Sequence, residues 1–251
     1  MVKVKKILIS QPSPKTEKSP YFDISEKYGV QMDFKPFIRV EGIDAKEFRQ
    51  QRINILDFDV VIFTAKVAID HFFTLCEELR IVMPETMKYF CISEAVALYL
   101  QKYIVYRKRK IFFSTTGKMD GLSTALTKHN KDKYLMPVSD IHQEDLTRIL
   151  DDKKIDYTKS VMYRTVSNSI TEEEIMSYDM YVFFTPAGIT SLLKNAPNFK
   201  QEDRILACFG ASTAKAIKDS GLRVDCEAPL PGIPSMTAAL EVFLKENHKK
   251  K

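Results

Sequence analysis

The sequence predicts an α/β protein with two similar doubly wound (flavodoxin-like) parallel-sheet domains joined by two extended connectors. Short apolar runs of strand length alternate with segments of helical spacing along the 251 residues, a pattern typical of parallel α/β sheets. A buried strand that leads through a threonine into a helix occurs at 59–68 and again at 179–188. A second strand–helix unit follows each of them, at 88–97 and 204–214. These two β-α-β-α blocks indicate an internal repeat, and hence two domains of one fold.

Each predicted strand is a short, mostly apolar run between segments with helical spacing. The strands are expected at 6–10, 34–40, 59–63, 89–92, 104–106, 111–114, 134–138, 160–166, 180–184, 205–209 and 222–226. Helices are predicted to end at Gly29 and Gly221, because glycine suits the left-handed residue that closes a helix. Thr171, which three glutamates follow, fits a capping box, and a last helix is predicted to begin at Ser235.

The predicted strands do not divide the chain simply in half. Its C-terminal third holds only three strands, fewer than the roughly five of an ordinary doubly wound sheet. The N-terminal strands complete this sheet, which predicts a discontinuous domain of residues 1–36 plus 168–251. Residues 37–167 then form an inserted domain, and the extended segments 34–40 and 160–166 are predicted to be the connectors.

The composition argues against several classes of protein. No apolar run approaches the roughly 20 residues of a membrane span, and the N-terminus lacks the apolar core of a signal peptide. The four cysteines and four histidines are scattered without metal-ligand spacing, so we expect no metal and a cytoplasmic protein. The net charge is +5, but residues 245–251 carry four lysines against one glutamate, and nucleic-acid binding is therefore not favoured.

Small residues, many with a hydroxyl group, follow the predicted strands. Ligands of open parallel sheets collect at the carboxyl ends of the strands, where helix N-termini present free N–H groups. The turns therefore predict a site for carboxylates or phosphates, although each residue taken alone is explained as well by an ordinary helix N-cap. The candidate ligand residues are Thr64, Ala65, Ser93, Ser139, Thr185, Ala187, Gly188, Ser212 and Thr213.

Familiar catalytic motifs are missing from the sequence. It has no Gly-x-Gly-x-x-Gly after a strand, no phosphate-binding Gly-Lys-Thr and no Gly-x-Ser-x-Gly elbow. The first of these absences disfavours a nucleotide-dependent oxidoreductase. Any chemistry must use a small number of ordinary side chains.

Five short motifs occur in a fixed order along the chain. Residues 160–165 read Ser-Val-Met-Tyr-Arg-Thr, residues 182–189 read Val-Phe-Phe-Thr-Pro-Ala-Gly-Ile, and residues 209–217 read Phe-Gly-Ala-Ser-Thr-Ala-Lys-Ala-Ile. The inserted half contributes Ile-Phe-Thr-Ala at 62–65 and Tyr-Leu-Met-Pro at 134–137. In this order and spacing the motifs resemble the uroporphyrinogen-III synthase family over essentially the whole chain.

The resemblance implies a cofactor-free lyase of tetrapyrrole, porphyrin and heme biosynthesis. Such an enzyme cyclises the linear tetrapyrrole hydroxymethylbilane to uroporphyrinogen III, with loss of water and inversion of ring D. Tyr163 is the catalytic residue that the resemblance implies, as a proton donor or hydrogen-bond partner of the departing hydroxyl. The turns named above would receive the acetate and propionate groups of the substrate. The implied partners are this substrate and the upstream or downstream tetrapyrrole enzymes, with neither nucleic acid nor membrane.

Two departures from the family pattern keep an alternative open. The first strand ends in Ser10-Gln11-Pro12 where the family usually has a Thr-Arg-Pro type sequence, and residues 92–96 lack the glycine and threonine of the Gly-x-x-Thr-Ala turn. The alternative is a two-lobed binding or regulatory module that recognises an anionic metabolite without catalysis. The ordinary interpretation of Tyr163 itself is a strand aromatic that packs between connector and domain.

Overall fold

The computed structural model describes residues 4–141 and 147–248. The chain forms two compact units, one of which runs up to Arg39 and resumes at Val166, while the other spans Val40–Thr165. We call them the discontinuous unit and the inserted unit. The domain division at residues 36 and 168 stays a prediction. No helix among the described residues is long and apolar enough to cross a membrane.

Strands and helices alternate along the described residues. The strands are β1 (Lys6–Ile9), β2 (Gln31–Phe34), β3 (Ile38–Gly42), β4 (Val60–Phe63), β5 (Lys88–Cys91), β6 (Ile111–Phe113), β7 (Tyr134–Ser139), β8 (Tyr157–Ser167), β9 (Met180–Phe183), β10 (Ile205–Phe209) and β11 (Cys226–Ala228). The helices are α1 (Pro20–Tyr28), α2 (Ala45–Gln50), α3 (Lys66–Glu78), α4 (Glu94–Tyr99), α5 (Ser123–Lys128), α6 (Arg148–Asp152), α7 (Glu172–Met176), α8 (Pro186–Asn195), α9 (Ala211–Asp219) and α10 (Met236–His248).

The discontinuous unit contains a parallel sheet in the order β11-β10-β9-β1-β2. Numbered along this unit alone, the order is 2-1-3-4-5, the arrangement of a flavodoxin-like doubly wound sheet. The N-terminal strands β1 and β2 therefore complete a sheet whose other three strands come from the C-terminal part of the chain.

The inserted unit contains a sheet in the order β3-β8-β7-β4-β5-β6, in which the pairs from β8 to β6 are parallel. If β7 and β8 are numbered 1 and 2, and β4, β5 and β6 are numbered 3, 4 and 5, these five strands have the same 2-1-3-4-5 order. The predicted repeat is thus present in a permuted form, because β4 and β5 occupy the places of β9 and β10. The predicted fold class of two similar doubly wound parallel-sheet domains is confirmed.

The central strand β4 shows how the inserted sheet is buried on both faces. Its four residues are completely buried, as expected of a parallel strand with helices on both sides. Val61 and Phe63 pack into one hydrophobic cluster, while Val60 and Ile62 pack into a second. Strand β9 divides between two clusters of the discontinuous unit in the same alternating way.

The predicted helix signals are present in the structure. Gly29 and Gly221 follow α1 and α9 with positive φ angles of 60° and 73°. Thr171 Oγ1 accepts a hydrogen bond from the Glu174 N–H group at 3.2 Å, and Ser235 Oγ accepts one from the Ala238 N–H group at 3.1 Å. These hydroxyls cap the first turns of α7 and α10.

The predicted strand 34–40 is wrong as a single element. β2 ends at Phe34 in one sheet, and β3 begins at Ile38 in the other. The ladder with β1 ends at the Lys35 N–H group, which donates to the Ile9 carbonyl at 2.9 Å, and Pro36, with its fixed φ angle, follows directly on this edge of the sheet. The segment 34–40 therefore holds the ends of two strands, with Pro36 in the break between them.

Two further predicted strands need correction. Residues 104–106 form no strand, because the Tyr103 and Ile104 N–H groups donate to the Leu100 carbonyl and turn the chain. The strand expected at 222–226 is displaced toward the C-terminus. It begins only at Cys226, as β11, which pairs with β10. The remaining predicted strands are present, with ends that lie within three residues of the prediction.

Candidate functional site

In the inserted unit, five of the predicted site residues lie toward one edge of the sheet. β8, β7, β4 and β5 are neighbours and run parallel, so their carboxyl ends share that edge. Ser139 ends β7, and Tyr163 on β8 is its register partner. Thr64 and Ala65 follow β4, and Ser93 follows β5. The structure therefore places the predicted catalytic tyrosine at the same sheet edge as the predicted ligand turns of its own unit.

The helix starts at this edge differ in how they are capped. Ser93 is the N-cap of α4, and its Oγ accepts from the Val96 N–H group at 3.4 Å. Ala65 is the N-cap of the longer helix α3 and offers no side-chain acceptor. The N–H groups in the first turn of a helix have no partner within that helix. The start of α3 can therefore donate backbone hydrogen bonds to a carboxylate.

Tyr163 has a buried ring and a hydroxyl group to which no described residue forms a hydrogen bond. The residue is 8% exposed, and burial raises the pKa of its phenol. Within residues 4–141 and 147–248, no group forms a hydrogen bond with the Tyr163 hydroxyl. A phenol with a raised pKa stays protonated at neutral pH, so this hydroxyl is a hydrogen-bond donor that the fold leaves unused.

Asp140 anchors the backbone on both sides of Tyr163. The Asp140 N–H group donates to the Tyr163 carbonyl at 3.1 Å, and Asp140 Oδ1 accepts from the Thr165 N–H group at 3.3 Å. The Ser139 hydroxyl donates to the same Oδ1 atom at 2.8 Å. Ser139 therefore supports this anchor, whereas the sequence reasoning placed its hydroxyl among the ligand groups and gave Asp140 no role.

In the discontinuous unit, the turn after β9 contains Thr185, Ala187 and Gly188. Thr185 is the N-cap of α8, and its Oγ1 accepts from the Gly188 N–H group at 3.3 Å. A Cβ atom on Gly188 would lie only 3.0 Å from Cδ1 of Phe183. The glycine lets the first turn of α8 approach the end of β9 closely, so the turn is compact and rich in backbone N–H groups.

The turn after β10 lies beside it, because β9 and β10 are neighbours and α8 packs on α9. Gly210 is the N-cap of α9, with φ at +90°, and supplies no side-chain acceptor. Ser212 is exposed. Thr213 is completely buried, and its Oγ1 has no hydrogen-bond partner among the described residues. An unsatisfied buried hydroxyl costs free energy and needs an explanation.

His71 is a neighbour of Tyr163 that sequence reasoning missed. Its imidazole stacks on the Tyr163 ring, with 5.4 Å between the centroids and 20° between the planes. No spacing along the chain indicates this contact, since α3 and β8 are far apart in sequence. Over the described ranges 4–141 and 147–248, no group of three or more His, Cys, Asp or Glu residues is placed to hold a metal ion.

The fold and these turns define a class of protein. It is a two-unit, doubly wound α/β protein that presents helix N-termini and small hydroxyl-bearing residues at the carboxyl ends of its strands. Residues 21–238 match the family model described as uroporphyrinogen-III synthase HemD, and the chain belongs to this family. Members of the family are enzymes of tetrapyrrole biosynthesis that act as cyclising lyases, so the predicted family and activity are confirmed.

Individual relatives agree with the family model. The uroporphyrinogen-III synthase of Schizosaccharomyces pombe is 25% identical over 246 residues, which cover 91% of this chain and 93% of the relative. The solved uroporphyrinogen-III synthetase of Helicobacter pylori has a TM-score of 0.60 at 18% identity, over 96% of this chain and 99% of that one. A mutant uroporphyrinogen III synthase of Thermus thermophilus has a TM-score of 0.53 at 14% identity, over 98% and 100%. These matches do not favour the alternative of a non-catalytic binding module.

Proposed function

We propose that this chain converts hydroxymethylbilane to uroporphyrinogen III, with ring D inverted, and that it needs no cofactor. The observation that carries the proposal is the Tyr163 hydroxyl, which no described residue binds and which lies on β8 beside the carboxyl end of β7, in a chain of this family. The substrate has a terminal hydroxyl group that must leave before the macrocycle closes. We also expect the enzyme to act in the cytoplasm, next to the enzymes that precede and follow it in the pathway.

Substrate binding is assigned to the turns at the two sets of strand ends. In the inserted unit these are Thr64, Ala65, Ser93 and Ser139, and in the discontinuous unit Thr185, Ala187, Gly188, Ser212 and Thr213. The starts of α3 and α9 support this assignment, because neither has a side-chain cap. A carboxylate at such a helix start gains about 0.3–1 kcal/mol from the helix dipole, and more where water is excluded. Several such contacts would hold an acetate- and propionate-bearing chain without a strongly basic surface.

Tyr163 is assigned to the departure of the hydroxyl group. Its phenol donates a hydrogen bond, and then a proton, to the terminal oxygen of the substrate, which leaves as water. The carbon of ring D that already carries the bridge to ring C then bonds to the freed methylene carbon, which gives the spiro intermediate. Its original bond to the ring C bridge breaks, and that bridge carbon bonds to the free α-carbon of ring D. The hydrogen on this α-carbon leaves as the proton that the phenolate regains. Because a phenol is a weak acid, we assign the larger part of the rate enhancement to the curled conformation of the bound substrate.

Product analysis tests the proposal directly. Purified protein is mixed with chemically prepared hydroxymethylbilane, and the products are oxidised to porphyrins and separated into type I and type III isomers. Spontaneous closure gives type I, so we expect type III from the native protein and type I from a heat-denatured control. If folded protein yields only type I while the substrate still raises its melting temperature, the chain is a binding module and the proposal is wrong.

A further inference from the structure

Tyr163 differs from Tyr134 and Tyr181, two other buried tyrosines of this chain, in what holds its side chain. The hydroxyl of Tyr181 donates to the Ile175 carbonyl at 2.7 Å, and that of Tyr134 donates to the His129 carbonyl at 3.0 Å. These bonds fix the direction of each phenol. Since the Tyr163 hydroxyl has no such bond to a described residue, the orientation of its phenol depends on how the ring packs.

His71 supplies the aromatic contact of that ring. It lies on α3, is partly buried, and stacks on Tyr163 with nearly parallel planes. With 5.4 Å between the centroids, the rings are offset, which is a favoured geometry for an aromatic pair. Burial lowers the pKa of His71 against the opposing effect of the Asp70 carboxylate. The imidazole is therefore neutral at pH 7 and stacks without adding a charge.

Gly42 leaves the space that His71 occupies. It lies on β3 next to β8, where the Ile43 N–H group donates to the Met162 carbonyl at 3.0 Å. A Cβ atom built on Gly42 would lie 2.8 Å from Nδ1 of His71, closer than van der Waals contact permits. The φ angle of Gly42 is not positive, so the missing side chain serves the neighbouring ring and not the backbone.

We propose that His71, seated against Gly42, is a positioning residue that holds the Tyr163 phenol in its working direction. This inference rests on the proposed role of Tyr163 in the departure of the substrate hydroxyl. His71 acts through the tyrosine ring and needs no contact with the substrate. Its removal should therefore lower kcat and leave KM nearly unchanged, because the binding turns are not touched.

Substitutions at position 71 separate an aromatic contact from simple filling of space. His71→Leu keeps volume but removes the ring, whereas His71→Phe keeps a ring that can stack. We expect His71→Leu to lower kcat about tenfold, as small misplacements of reacting groups do, and His71→Phe to restore most of it. Thr74→Ala, on an exposed position of the same helix, is the matched control and should match the wild type.

Gly42→Ala approaches the same contact from the other side. The added methyl group displaces the imidazole without changing His71 itself, so it should reproduce the loss of kcat seen in His71→Leu. The combination of Gly42→Ala with His71→Leu should be little worse than either change alone, because both remove one contact. A Gly42→Ala variant with full activity would overturn the proposal.

An NMR readout tests the stack independently of turnover. In protein that carries ring-labelled tyrosine, the Tyr163 signal is assigned as the one that Tyr163→Phe removes. We expect its ring shift to move in His71→Leu and in Gly42→Ala, and to stay near the wild-type position in His71→Phe and Thr74→Ala. An unmoved signal in His71→Leu would mean that the imidazole does not hold the ring.

The two proposals fail in different ways. If Tyr163→Phe lowers kcat while His71→Leu, still folded by its melting curve, keeps it within twofold, the positioning role alone is overturned. If Tyr163→Phe leaves kcat unchanged, the role of Tyr163 is wrong and the positioning role falls with it. A loss of kcat in His71→Leu and in His71→Phe alike would contradict stacking as the cause.

Discussion

Asp59 and Asp179 make the same contact in the two units. Asp179 Oδ2 accepts hydrogen bonds from the Lys5 and Lys6 N–H groups, at 2.7 and 2.9 Å, at the start of β1. Asp59 Oδ2 accepts one from the Lys133 N–H group, at 3.0 Å, at the start of β7. Each aspartate directly precedes its own strand, so the two carboxylates tie together strands that hold equivalent places in the two sheets.

Removal of these carboxylates should destabilise the protein unequally. Asp179 accepts two backbone bonds and is partly buried, while Asp59 accepts one and is exposed. We expect Asp179→Ala to lower the free energy of unfolding by about 2 kcal/mol and Asp59→Ala by about 1 kcal/mol. Urea unfolding measures both. Asp203→Ala, at an exposed position with no hydrogen bond to a described residue, is the control, and equal losses at 59 and 179 would contradict this account.

These two aspartates illustrate what the sequence could predict. Each stands directly before a four-residue apolar strand, and a helix begins at the third residue after that strand, at Lys66 and at Pro186. Such signals are local, because a strand buried on both faces must be apolar throughout, and a threonine such as Thr185 favours the start of a helix. The repeat, the fold class and the placement of the turns at strand ends all follow from local patterns of this kind.

Long-range relationships could not be predicted in the same way. The permuted strand order of the inserted unit depends on which strands pair, which no local pattern records. The contact of His71 with Tyr163 needs α3 to pack beside β8 and needs Gly42 to lack a side chain. The Thr213 hydroxyl, which lacks a hydrogen-bond partner among the described residues, is likewise evident only once α9 is packed on the sheet.

Tyr163→Phe removes the hydroxyl and keeps the ring. We expect kcat to fall about ten- to a hundredfold. This loss is no larger than the smallest rate enhancements typical of general acid catalysis, because a phenol is a weak acid. Slower turnover gives spontaneous closure more time, so the type I fraction of the product should rise. Tyr157→Phe is the matched control on the same strand, where the hydroxyl donates to Asp151 Oδ1 at 2.8 Å. It should leave kcat unchanged, and a loss in both variants would point to the strand and not to Tyr163.

Two threonine caps allow binding to be separated from helix capping. Thr185 caps α8 within a proposed ligand turn, and Thr171 caps α7 outside the proposed turns. Replacement of either by alanine should cost about 1 kcal/mol of stability, as thermal or urea unfolding measures. Only Thr185→Ala should also raise KM for hydroxymethylbilane, and Thr185→Ser should restore both properties. An equal rise of KM in Thr171→Ala would remove Thr185 from the binding site.

Thr213→Val tests why the fold keeps an unsatisfied hydroxyl in a buried position. Valine has the shape of threonine without the polar group, so the free energy of unfolding should stay the same or rise by up to about 1 kcal/mol, because a buried group without a partner is removed. If the hydroxyl binds a substrate carboxylate, kcat/KM of Thr213→Val should nevertheless fall. The variant would then be at least as stable as the wild type but less active. Thr213→Ser keeps the hydroxyl and serves as the control for activity. A stabilised Thr213→Val variant with full kcat/KM would show that Thr213 does not bind the substrate.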